Sequence, residues 1–346
     1  MRGRVALNAL SLRPGGGGVQ TYIRELLPPL AAAVDADVVA AVQGDVLGQL
    51  PADVEPLVRP TSDGAVRALH GLRSLGPADV VHGLDVDVPV RRRGPSVATV
   101  HDLAVFDVPW AFSRIRARGE RALIRHALRR VDTVVAVSAF TAERVAARFG
   151  RTAVVTPLAP PTDLRPAPGG QVQRVRRRYQ LPPRFVLHVG TLEPRKDVPT
   201  LAWACRQVGV PLVLAGAGAR DPVAPGTVRL GYVPRADLAP LYGSATVVAY
   251  PSRYEGFGLP PLEAMACGAA VVASRVASLP EVLGDAAWLV PAGDGECLAR
   301  AIREAVGDAE RRGEMARAGI ERAASFTWTA TASATAAVYR SLGACL

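Results

Sequence analysis

The fold can be predicted from one stretch of the chain, residues 245–274, which reads ATVVAYPSRYEGFGLPPLEAMACGAAVVAS. The apolar run at 245–252 has the length and composition of a buried strand, and a glycine-bearing loop follows it. Helical spacing begins at about residue 260, and a second strand-like run occupies 269–274. Strand, loop, helix and strand in this order indicate an α/β fold with a parallel sheet.

The same alternation occurs throughout the rest of the chain. Near the N-terminus, the apolar run 4–12 meets the glycine loop 15–18, and the residues after the loop have helical spacing. Further strands are predicted at 37–42, 79–82, 97–100, 132–137, 185–190 and 211–218. Successive α/β units of Rossmann-like type are therefore expected.

A proline- and glycine-rich segment at 157–170 separates two runs of such units. At 346 residues the chain is long for one domain, since about 100–200 residues per domain is usual. We expect an N-terminal Rossmann-like domain over 1–160, a linker over 161–172 and a second Rossmann-like domain over 173–325. Residues 326–346 are expected to form a C-terminal helix.

The composition is that of a globular protein. Apolar residues make up 49% of the chain and charged residues 21%, and no apolar run reaches the roughly 18 residues that a spanning helix needs. Because no signal-peptide cleavage site is recognisable, the cytoplasm is the expected location, and the four cysteines are expected to be buried free thiols. The net charge of +10 is spread evenly and no nucleic-acid-binding motif occurs, so no nucleic-acid partner is expected.

One local concentration of positive charge lies in a predicted helix at 113–130. Its arginines recur at spacings of three or four residues, which places them on one face: Arg114, Arg118, Arg121, Arg125 and Arg129. A solvated helix face is one interpretation. The other is peripheral contact with an anionic membrane, at its inner face, or with an acceptor.

The densest group of chemically useful residues is Glu255-Gly-Phe-Gly-Leu-Pro-Pro-Leu-Glu263. Backbone N–H groups at the start of the predicted helix can face an anion, supported by the helix dipole. Glu263, in the first turns of that helix, can accept hydrogen bonds from vicinal hydroxyls such as those of ribose, and Glu255 can do the same for a sugar ring. The string as a whole indicates a ligand that carries both phosphate and hydroxyl groups.

Lys196 is the only lysine in the chain. All the other lysine or arginine positions are arginine, which indicates a strong bias against lysine. A lysine that is present despite this bias marks a position of interest. Together with Arg195 it forms a pair of cations suited to a diphosphate. The alternative is a solvated pair that caps a helix.

Several segments resemble glycosyltransferase family 4, whose members are retaining enzymes of the GT-B fold, and they occur in the family's order. Residues 254–294 resemble its donor-site signature. The others are the glycine loop at 13–26, the His-Asp segment at 99–109, the serine-bearing strand end at 135–145, the phosphate-binding segment at 186–201 and the base-binding region at 231–252.

The resemblance implies two Rossmann-like domains that face a central cleft, with the C-terminal helix crossing back to the first domain. It assigns Arg195 and Lys196 to the donor diphosphate, where fixed cations stabilise the departing phosphate. It assigns Glu255 to the transferred sugar and Glu263 to the ribose. Further donor contacts are expected from backbone groups at Gly190, Val233, Phe257, Gly258 and Leu259.

In the first, acceptor-side domain, the resemblance implies that Gly16 and Gly17 approach the diphosphate, since only glycine lets the backbone come so close. His101 ends a predicted strand where the family places a histidine near the donor sugar, and it is expected to belong to the catalytic group. Asp102 and Ser138 are candidates for the acceptor side. Holding the loop and capping a helix are their alternative roles.

Asp85-Val-Asp87 matches the D-x-D metal signature of a different glycosyltransferase fold. It lies in the first domain, away from the inferred diphosphate site, whereas magnesium sites usually include the substrate phosphates. Neither a metal nor any other cofactor is therefore expected, and the nucleotide sugar is a substrate.

The predicted function is retaining, metal-independent transfer of a sugar from a nucleoside-diphosphate sugar. A GDP-linked sugar is favoured because residues 255–263 most resemble mannosyltransferase-like members of the family. The expected acceptor is a glycan, a lipid-linked glycan or a small molecule such as an oligosaccharide antibiotic. Two alternatives stay open: another GT-B enzyme, such as a sugar-nucleotide epimerase, and a non-catalytic nucleotide-sugar-binding subunit.

Overall fold

The computed structural model describes residues 3–218 and 226–344. The chain divides into two compact units, each built on its own parallel sheet. Unit 1 comprises Met1–Leu158 and Thr327–Leu346, and unit 2 comprises Ala159–Phe326. The boundary between the units therefore lies at the start of the proline- and glycine-rich segment.

Unit 1 contains a seven-stranded parallel sheet. Its strands are β1 (Gly3–Asn8), β2 (Ala36–Gln43), β3 (Val54–Arg59), β4 (Val80–Gly83), β5 (Ser96–Val100), β6 (Thr133–Ala136) and β7 (Ala153–Val155). Their order across the sheet is β3-β2-β1-β4-β5-β6-β7. The order reverses between β1 and β4, where Val5 lies opposite Val80 and Asn8 opposite Gly83.

The helices of the first part of unit 1 cover the sheet. They are α1 (Gly18–Ala33), α2 (Gly64–Gly71), α3 (Ala104–Asp107), α4 (Arg114–Arg130) and α5 (Ala139–Phe149). Serine N-caps start α4 and α5: Ser113 accepts a hydrogen bond from Arg116 N–H, and Ser138 accepts one from Thr141 N–H. Such caps satisfy first-turn donors that have no partner within the helix.

Unit 2 contains a six-stranded parallel sheet. Its strands are β8 (Val186–Val189), β9 (Leu212–Ala215), β10 (Val228–Gly231), β11 (Val247–Tyr250), β12 (Val271–Ser274) and β13 (Trp288–Val290). Their order is β10-β9-β8-β11-β12-β13, so the order reverses between β8 and β11. Ligands of open α/β sheets bind beyond the carboxyl ends of the strands at such a reversal.

The helices of unit 2 are α6 (Gly169–Arg178), α7 (Val198–Val208), α8 (Arg235–Ser244), α9 (Leu259–Ala266), α10 (Leu279–Leu283), α11 (Gly295–Gly307) and α12 (Ala309–Ala324). Leu201 of α7 and Ile302 of α11 are fully buried in one apolar cluster with Val186 and Val272 of the sheet. This cluster holds β8 in place, and β8 leads into the candidate site.

The last helix, α13 (Trp328–Ser341), belongs to unit 1, where it packs on α1. Tyr339 Oη lies 2.6 Å from Nδ1 of His82 in β4. Near the start of the helix, the ring of Trp328 lies 6.2 Å from that of Tyr22 in α1. The end of the chain thus contributes to the core of the first unit.

The predicted α/β class with two parallel sheets and a helical C-terminus is confirmed, but four strands escaped prediction. These are β3, β7, β10 and β13, which are the edge strands of the two sheets. In β3, β7 and β10, buried positions are few or alternate with exposed ones, so no continuous apolar run marks them. Cys205, Cys267 and Cys297 are free thiols; the first two are buried as expected, whereas Cys297 is only partly buried. Cys345 lies outside the described residues.

Candidate active site

The carboxyl ends of β8 and β9 are joined through glycines. Gly190 follows β8, and its N–H donates to Ala215 O (2.9 Å). Gly216, at φ 143°, comes so close that a Cβ there would lie 2.0 Å from Gly190 O, so only glycine fits. A Cβ at Gly190 would meet, among the described residues, only His188 Nε2 at 3.9 Å. The backbone of this loop is therefore accessible to a ligand.

Arg195 and Lys196 lie in a single 3-10 turn, Pro194–Lys196, between the glycine loop and α7. Arg195 O accepts a hydrogen bond from Arg253 N–H (2.7 Å), and the Arg253 guanidinium donates from Nε to Asp197 Oδ2 (2.5 Å). These two bonds tie the turn after β8 to the loop after β11.

The two cations and Glu255 form one buried ionic cluster. Lys196 Nζ donates to Glu255 Oε1 at 2.6 Å, and Arg195 Nη1 donates to Glu255 Oε2 at 3.2 Å. Ser252 Oγ donates a third bond, to Oε1 (2.7 Å). The side chains of Lys196 and Glu255 are each 7% exposed, and charges buried to this extent persist only when they are paired.

The charges in this cluster shift one another's proton affinities. Burial alone would raise the pKa of Glu255, but Lys196 and Arg195 outweigh it and hold that pKa at about 2. Burial lowers the pKa of Lys196 below its usual value, and Glu255 offsets part of this effect. Glu255 therefore remains a carboxylate at neutral pH, and the ammonium depends on it.

Further contacts orient the Arg195 guanidinium. Its Nε donates to Glu193 Oε2 at 2.8 Å, and its Nη1 also donates to Tyr254 O at 3.2 Å. A planar guanidinium held in this way is pre-organised for an anion, because little side-chain freedom is left to lose on binding.

The loop that follows Glu255 leads directly into α9. Gly258 caps the helix at φ 97°, and a Cβ there would lie 2.5 Å from Leu279 Cδ2, so both backbone and packing require glycine. Ser278 Oγ donates to Glu255 O (3.0 Å), and this bond connects the loop to the residue that precedes α10. Among the described residues, no acceptor is found for the N–H groups at 257–259. These donors lie at the positive end of α9, as an anion site requires.

Glu263 and Val233, the residues predicted to contact the ribose and the base, lie on α9 and just before α8. Glu263, half-buried on α9, accepts a hydrogen bond from Tyr242 Oη (3.3 Å). Val233 is buried just before α8. Gly231 O, two residues earlier, accepts from Gly216 N–H (2.7 Å), which connects the end of β10 to the glycine loop. The predicted contacts with ribose and base stay predictions.

In unit 1, Gly16 and Gly17 lie in the exposed loop before α1. His101 follows β5, and its Nε2 donates to Leu84 O (2.9 Å). This bond places the proton on Nε2, so Nδ1 is the acceptor atom of the neutral ring. The ring of Tyr22 packs edge-on against the imidazole, with centroids 4.8 Å apart.

The side chains of Asp102 and Ser138 both accept hydrogen bonds from backbone N–H groups two or three residues later in the chain. Asp102 Oδ1 accepts from Ala104 N–H (2.9 Å), and Ser138 Oγ accepts from Thr141 N–H (3.0 Å). Ser138 is fully buried. These are the loop-holding and capping roles named as alternatives, while an acceptor contact for either residue stays a prediction.

Comparison with known proteins decides the family. Residues 16–165 match the family model described as Glycosyltransferase Family 4, and residues 183–308 match the model described as Glycosyl transferases group 1. The O-antigen chain mannosyltransferase B of Escherichia coli is 34% identical over 284 residues, which cover 76% of this chain and 74% of that protein. This chain belongs to glycosyltransferase family 4. The prediction that it is a glycosyltransferase is confirmed.

Two solved structures share the fold of this family 4 enzyme over nearly its whole length. Sucrose-phosphate synthase from Thermosynechococcus elongatus has a TM-score of 0.77 at 22% identity and covers 99% of both chains. HepE of Anabaena, in complex with UDP and glucose, has a TM-score of 0.75 at 20% identity and covers 98% of this chain and 99% of its own. The predicted GT-B fold is confirmed.

The Asp85-Val-Asp87 segment of the family 4 enzyme lies in unit 1. Asp87 is buried and ion-paired with Arg67, and Asp85 accepts a hydrogen bond from Ser11 Oγ (3.0 Å). Within residues 3–218 and 226–344, no three His, Cys, Asp or Glu side chains are grouped as a metal site would need. In the same ranges, no helix is long and apolar enough to cross a membrane.

The structure brings Arg195, Lys196 and Glu255 into direct contact, whereas the candidates Gly16, Gly17, His101, Asp102 and Ser138 lie in unit 1. Sequence reasoning missed three residues that lie next to this cluster: His188, Glu193 and Ser252. Ser252 lies two residues after the end of β11, and a polar residue just beyond a buried strand could have indicated a site. His188 is hidden inside the apolar run FVLHVG and looks like a core residue.

His188 is the least expected of these residues. It is fully buried in β8, and its Nδ1 donates to Ala249 O (2.9 Å). Burial lowers its pKa to about 4, and Lys196 contributes to the shift. Nε2 is buried and has no hydrogen-bond partner among the described residues. A neutral imidazole therefore lies beneath the glycine loop of the site.

Proposed function

We propose that this family 4 enzyme is a retaining, metal-independent glycosyltransferase that uses a nucleoside-diphosphate sugar as donor. The observation that carries the proposal is the buried cluster of Lys196, Arg195 and Glu255 beside the glycine loop of unit 2. It combines two fixed cations, open backbone donors and a carboxylate, which match the diphosphate and the hydroxyls of such a donor.

In the proposed reaction, the bond between the anomeric carbon and the β-phosphate oxygen breaks while an acceptor hydroxyl forms the new bond on the same face of the sugar. Negative charge develops on the departing phosphate, which accepts the proton of that hydroxyl. Lys196 and Arg195 stabilise that charge, and because both are already held by Glu255, they need little reorganisation. Glu255 in turn accepts hydrogen bonds from the transferred sugar. The same cations supply the positive charge that a divalent metal supplies in other transferases.

The favoured donor is a GDP-linked sugar. Its support is the similarity to a mannosyltransferase over most of both chains, together with the mannosyltransferase-like string at 255–263. For the acceptor we favour a glycan or a lipid-linked glycan, because that relative is named for an O-antigen chain. A small-molecule acceptor, such as an oligosaccharide antibiotic, rests on the sequence interpretation alone.

One experiment tests the reaction and its donor together. Purified enzyme is incubated with GDP-, UDP- and dTDP-linked sugars, with and without EDTA, and donor consumption and product are followed by NMR. We expect turnover of a GDP-linked sugar, no loss with EDTA and retention at the anomeric carbon. Inversion, or activity lost with EDTA and restored by magnesium or manganese, would contradict the proposed mechanism.

We also propose that α4 contacts an anionic membrane surface. Its arginine stripe is Arg114, Arg118, Arg121, Arg125 and Arg129, and all but Arg121 are exposed. Trp110, in the turn before the helix, and Ile115, in its first turn, are 59% and 86% exposed. Arginines next to exposed apolar side chains are typical of helices that lie on anionic membranes.

Vesicle co-sedimentation tests this contact. Binding to vesicles of phosphatidylglycerol and phosphatidylcholine should be lost when Trp110→Ser and Ile115→Ser are combined. Ile320→Ser, a similar change at an exposed position of α12, should leave binding intact. Equal binding of all three proteins would contradict the membrane contact.

A further inference from the structure

A cavity of about 700 Å³ lies in unit 1, between the loop that precedes β4 and the loop that precedes β5. Its lining includes Ser74, Val90, Arg91, Arg92, Arg93 and Asp132. The arginines precede β5, whereas His101 follows it. The cavity is therefore at the opposite end of that strand from the predicted catalytic histidine, and the proposed donor chemistry does not use it.

The backbone around the cavity is held in place. Val90 N–H donates to Leu72 O (3.0 Å), and Pro77 pairs with Arg93 in an isolated parallel bridge. Gly94, at φ 96°, lies so close to the loop that precedes β4 that a Cβ there would be 2.3 Å from Ala78 O. Only glycine fits at this position. The backbone is therefore held on both sides of the arginines, at Val90 before them and at Gly94 after them.

The arginines of this cavity have few partners. Arg91 and Arg93 are exposed, and neither guanidinium has an acidic partner among the described residues. Arg92 donates to the carbonyl oxygens of Pro89 and Arg130 instead of to a carboxylate. The one acid of the lining, Asp132, accepts from Ser96 N–H and Ser96 Oγ, both at 2.8 Å.

Further cationic groups lie next to the cavity. Arg59 donates to Ser74 O (2.9 Å), and burial together with Arg73 lowers its pKa. On the other side, burial and the charges of Arg130 and Arg92 lower the pKa of His126. Burial is the larger cause of both pKa shifts, and the nearby arginines add to it in the same direction.

We propose that this cavity binds a phosphate-bearing anion, with Arg91 and Arg93 as its principal ligands. Guanidinium groups match phosphate oxygens through paired N–H donors, and the volume falls within the roughly 300–1,000 Å³ of small-molecule sites. A neutral sugar would leave these charges uncompensated. The phosphate belongs either to a soluble molecule or to a lipid headgroup.

Amide hydrogen exchange, read by mass spectrometry, tests the proposal without any sugar transfer. Inorganic pyrophosphate is titrated into the full chain, and exchange of residues 90–94 is followed. We expect saturable protection of this segment, with a midpoint that rises about tenfold in the Arg91→Gln/Arg93→Gln variant. Residues 190–196 report on the donor site in the same experiment, so failure of one site is distinguishable from failure of the other.

A charge-matched variant and a second probe complete the test. Arg177→Gln/Arg317→Gln removes two exposed arginines from unit 2 and should keep the wild-type midpoint at residues 90–94. Vesicles of phosphatidylglycerol and phosphatidylcholine replace pyrophosphate in a second arm. Protection by vesicles alone assigns the site to a headgroup, and protection by pyrophosphate assigns it to a soluble phosphate. If neither probe protects residues 90–94, or if both variants respond alike, the proposal is overturned.

Discussion

At the scale of single residues, the effects of substituting Lys196 or Glu255 are coupled, because the two side chains form one ion pair. Each is buried, and each is the other's principal partner at 2.6 Å. Arg195 and Ser252 complete the bonds to the carboxylate. Removal of one charge from such a pair leaves the other buried without full compensation, so a loss of activity alone would not identify the cause.

A double-mutant cycle on Lys196 and Glu255 separates their effect on stability from their effect on catalysis. Lys196→Met should lower the free energy of unfolding by about 3 kcal/mol, because Glu255 then stays buried with one cation fewer. Glu255→Gln should also be destabilising, since it leaves the ammonium unpaired. The double variant should recover most of the stability yet stay about a hundredfold or more below wild type in sugar transfer.

Denaturant unfolding and transfer kinetics provide the two readouts of this cycle. Arg177→Gln serves as control, because it removes one positive charge from an exposed position of α6. It should change neither quantity. A double variant that regains activity along with stability would show that the donor does not need this ion pair.

His188 makes a second prediction at this scale. Because burial lowers its folded pKa to about 4, the unfolded chain takes up a proton near pH 6.5 while the folded ring stays neutral. Its contribution to stability is thus present above about pH 6.5 and is lost as the pH falls toward 4. Between about pH 7 and about pH 5.5, wild type should lose roughly 1 kcal/mol more than His188→Phe. Equal pH dependence in denaturant unfolding would argue against a lowered pKa.

At the scale of elements, the last helix is part of the first unit. Tyr339 of α13 forms a hydrogen bond with His82 of β4. Thr331 Oγ1 donates to Pro157 O (2.6 Å), near the end of the segment Met1–Leu158 of unit 1. His82 also bonds to Thr99 of β5 through its Nε2 (2.9 Å). A buried polar chain therefore runs from α13 into the sheet that carries His101.

Tyr339→Phe should destabilise unit 1 by about 1–3 kcal/mol, since it leaves His82 Nδ1 buried without its partner. Tyr232→Phe is the matched control, because it deletes the same hydroxyl from a tyrosine that is 60% exposed in unit 2. Thermal unfolding of both variants measures the effect. An unchanged melting temperature in Tyr339→Phe would show that the hydroxyl does not help to hold the helix.

At the scale of the whole molecule, two compact units with separate cores divide the candidate residues between them. The cations and glutamates predicted for the donor belong to unit 2, and His101 belongs to unit 1. Domains with separate cores are often stabilised separately by their ligands. Binding of the nucleotide is thus expected to be visible first in unit 2.

A nucleoside diphosphate at a hundredfold excess over its Kd should stabilise unit 2 by about 2.7 kcal/mol. Hydrogen exchange should slow in the segments at 186–201 and 255–263, which hold the glycine loop, the ionic cluster and the start of α9. GDP, UDP and dTDP are compared in the same assay. Protection confined to Asp85 and Asp87, and present only with magnesium, would instead support a metal-dependent site in unit 1.

Much of the fold could be predicted because its signals are local. Buried central strands are continuous apolar runs, glycine loops follow them, and the string from Glu255 to Glu263 places a loop and a helix start side by side. Edge strands such as β3 and β10 lack that signal, since half-exposed strands carry mixed side chains. Candidate donor-binding residues could likewise be named from the sequence, because phosphate sites use few residue types, and their roles stay predictions.

Only the tertiary structure decided which of these residues act together. Lys196 and Glu255 are 59 positions apart in the chain, and their ion pair exists because β8 and β11 are neighbours in the sheet. In sequence His188 resembles an ordinary core residue, whereas in the structure burial lowers its pKa and its Nε2 has no hydrogen-bond partner among the described residues. The place of α13 in unit 1 depends on contacts with residues more than 150 positions away. Local patterns determine elements, whereas burial and charge pairing arise only when distant segments pack.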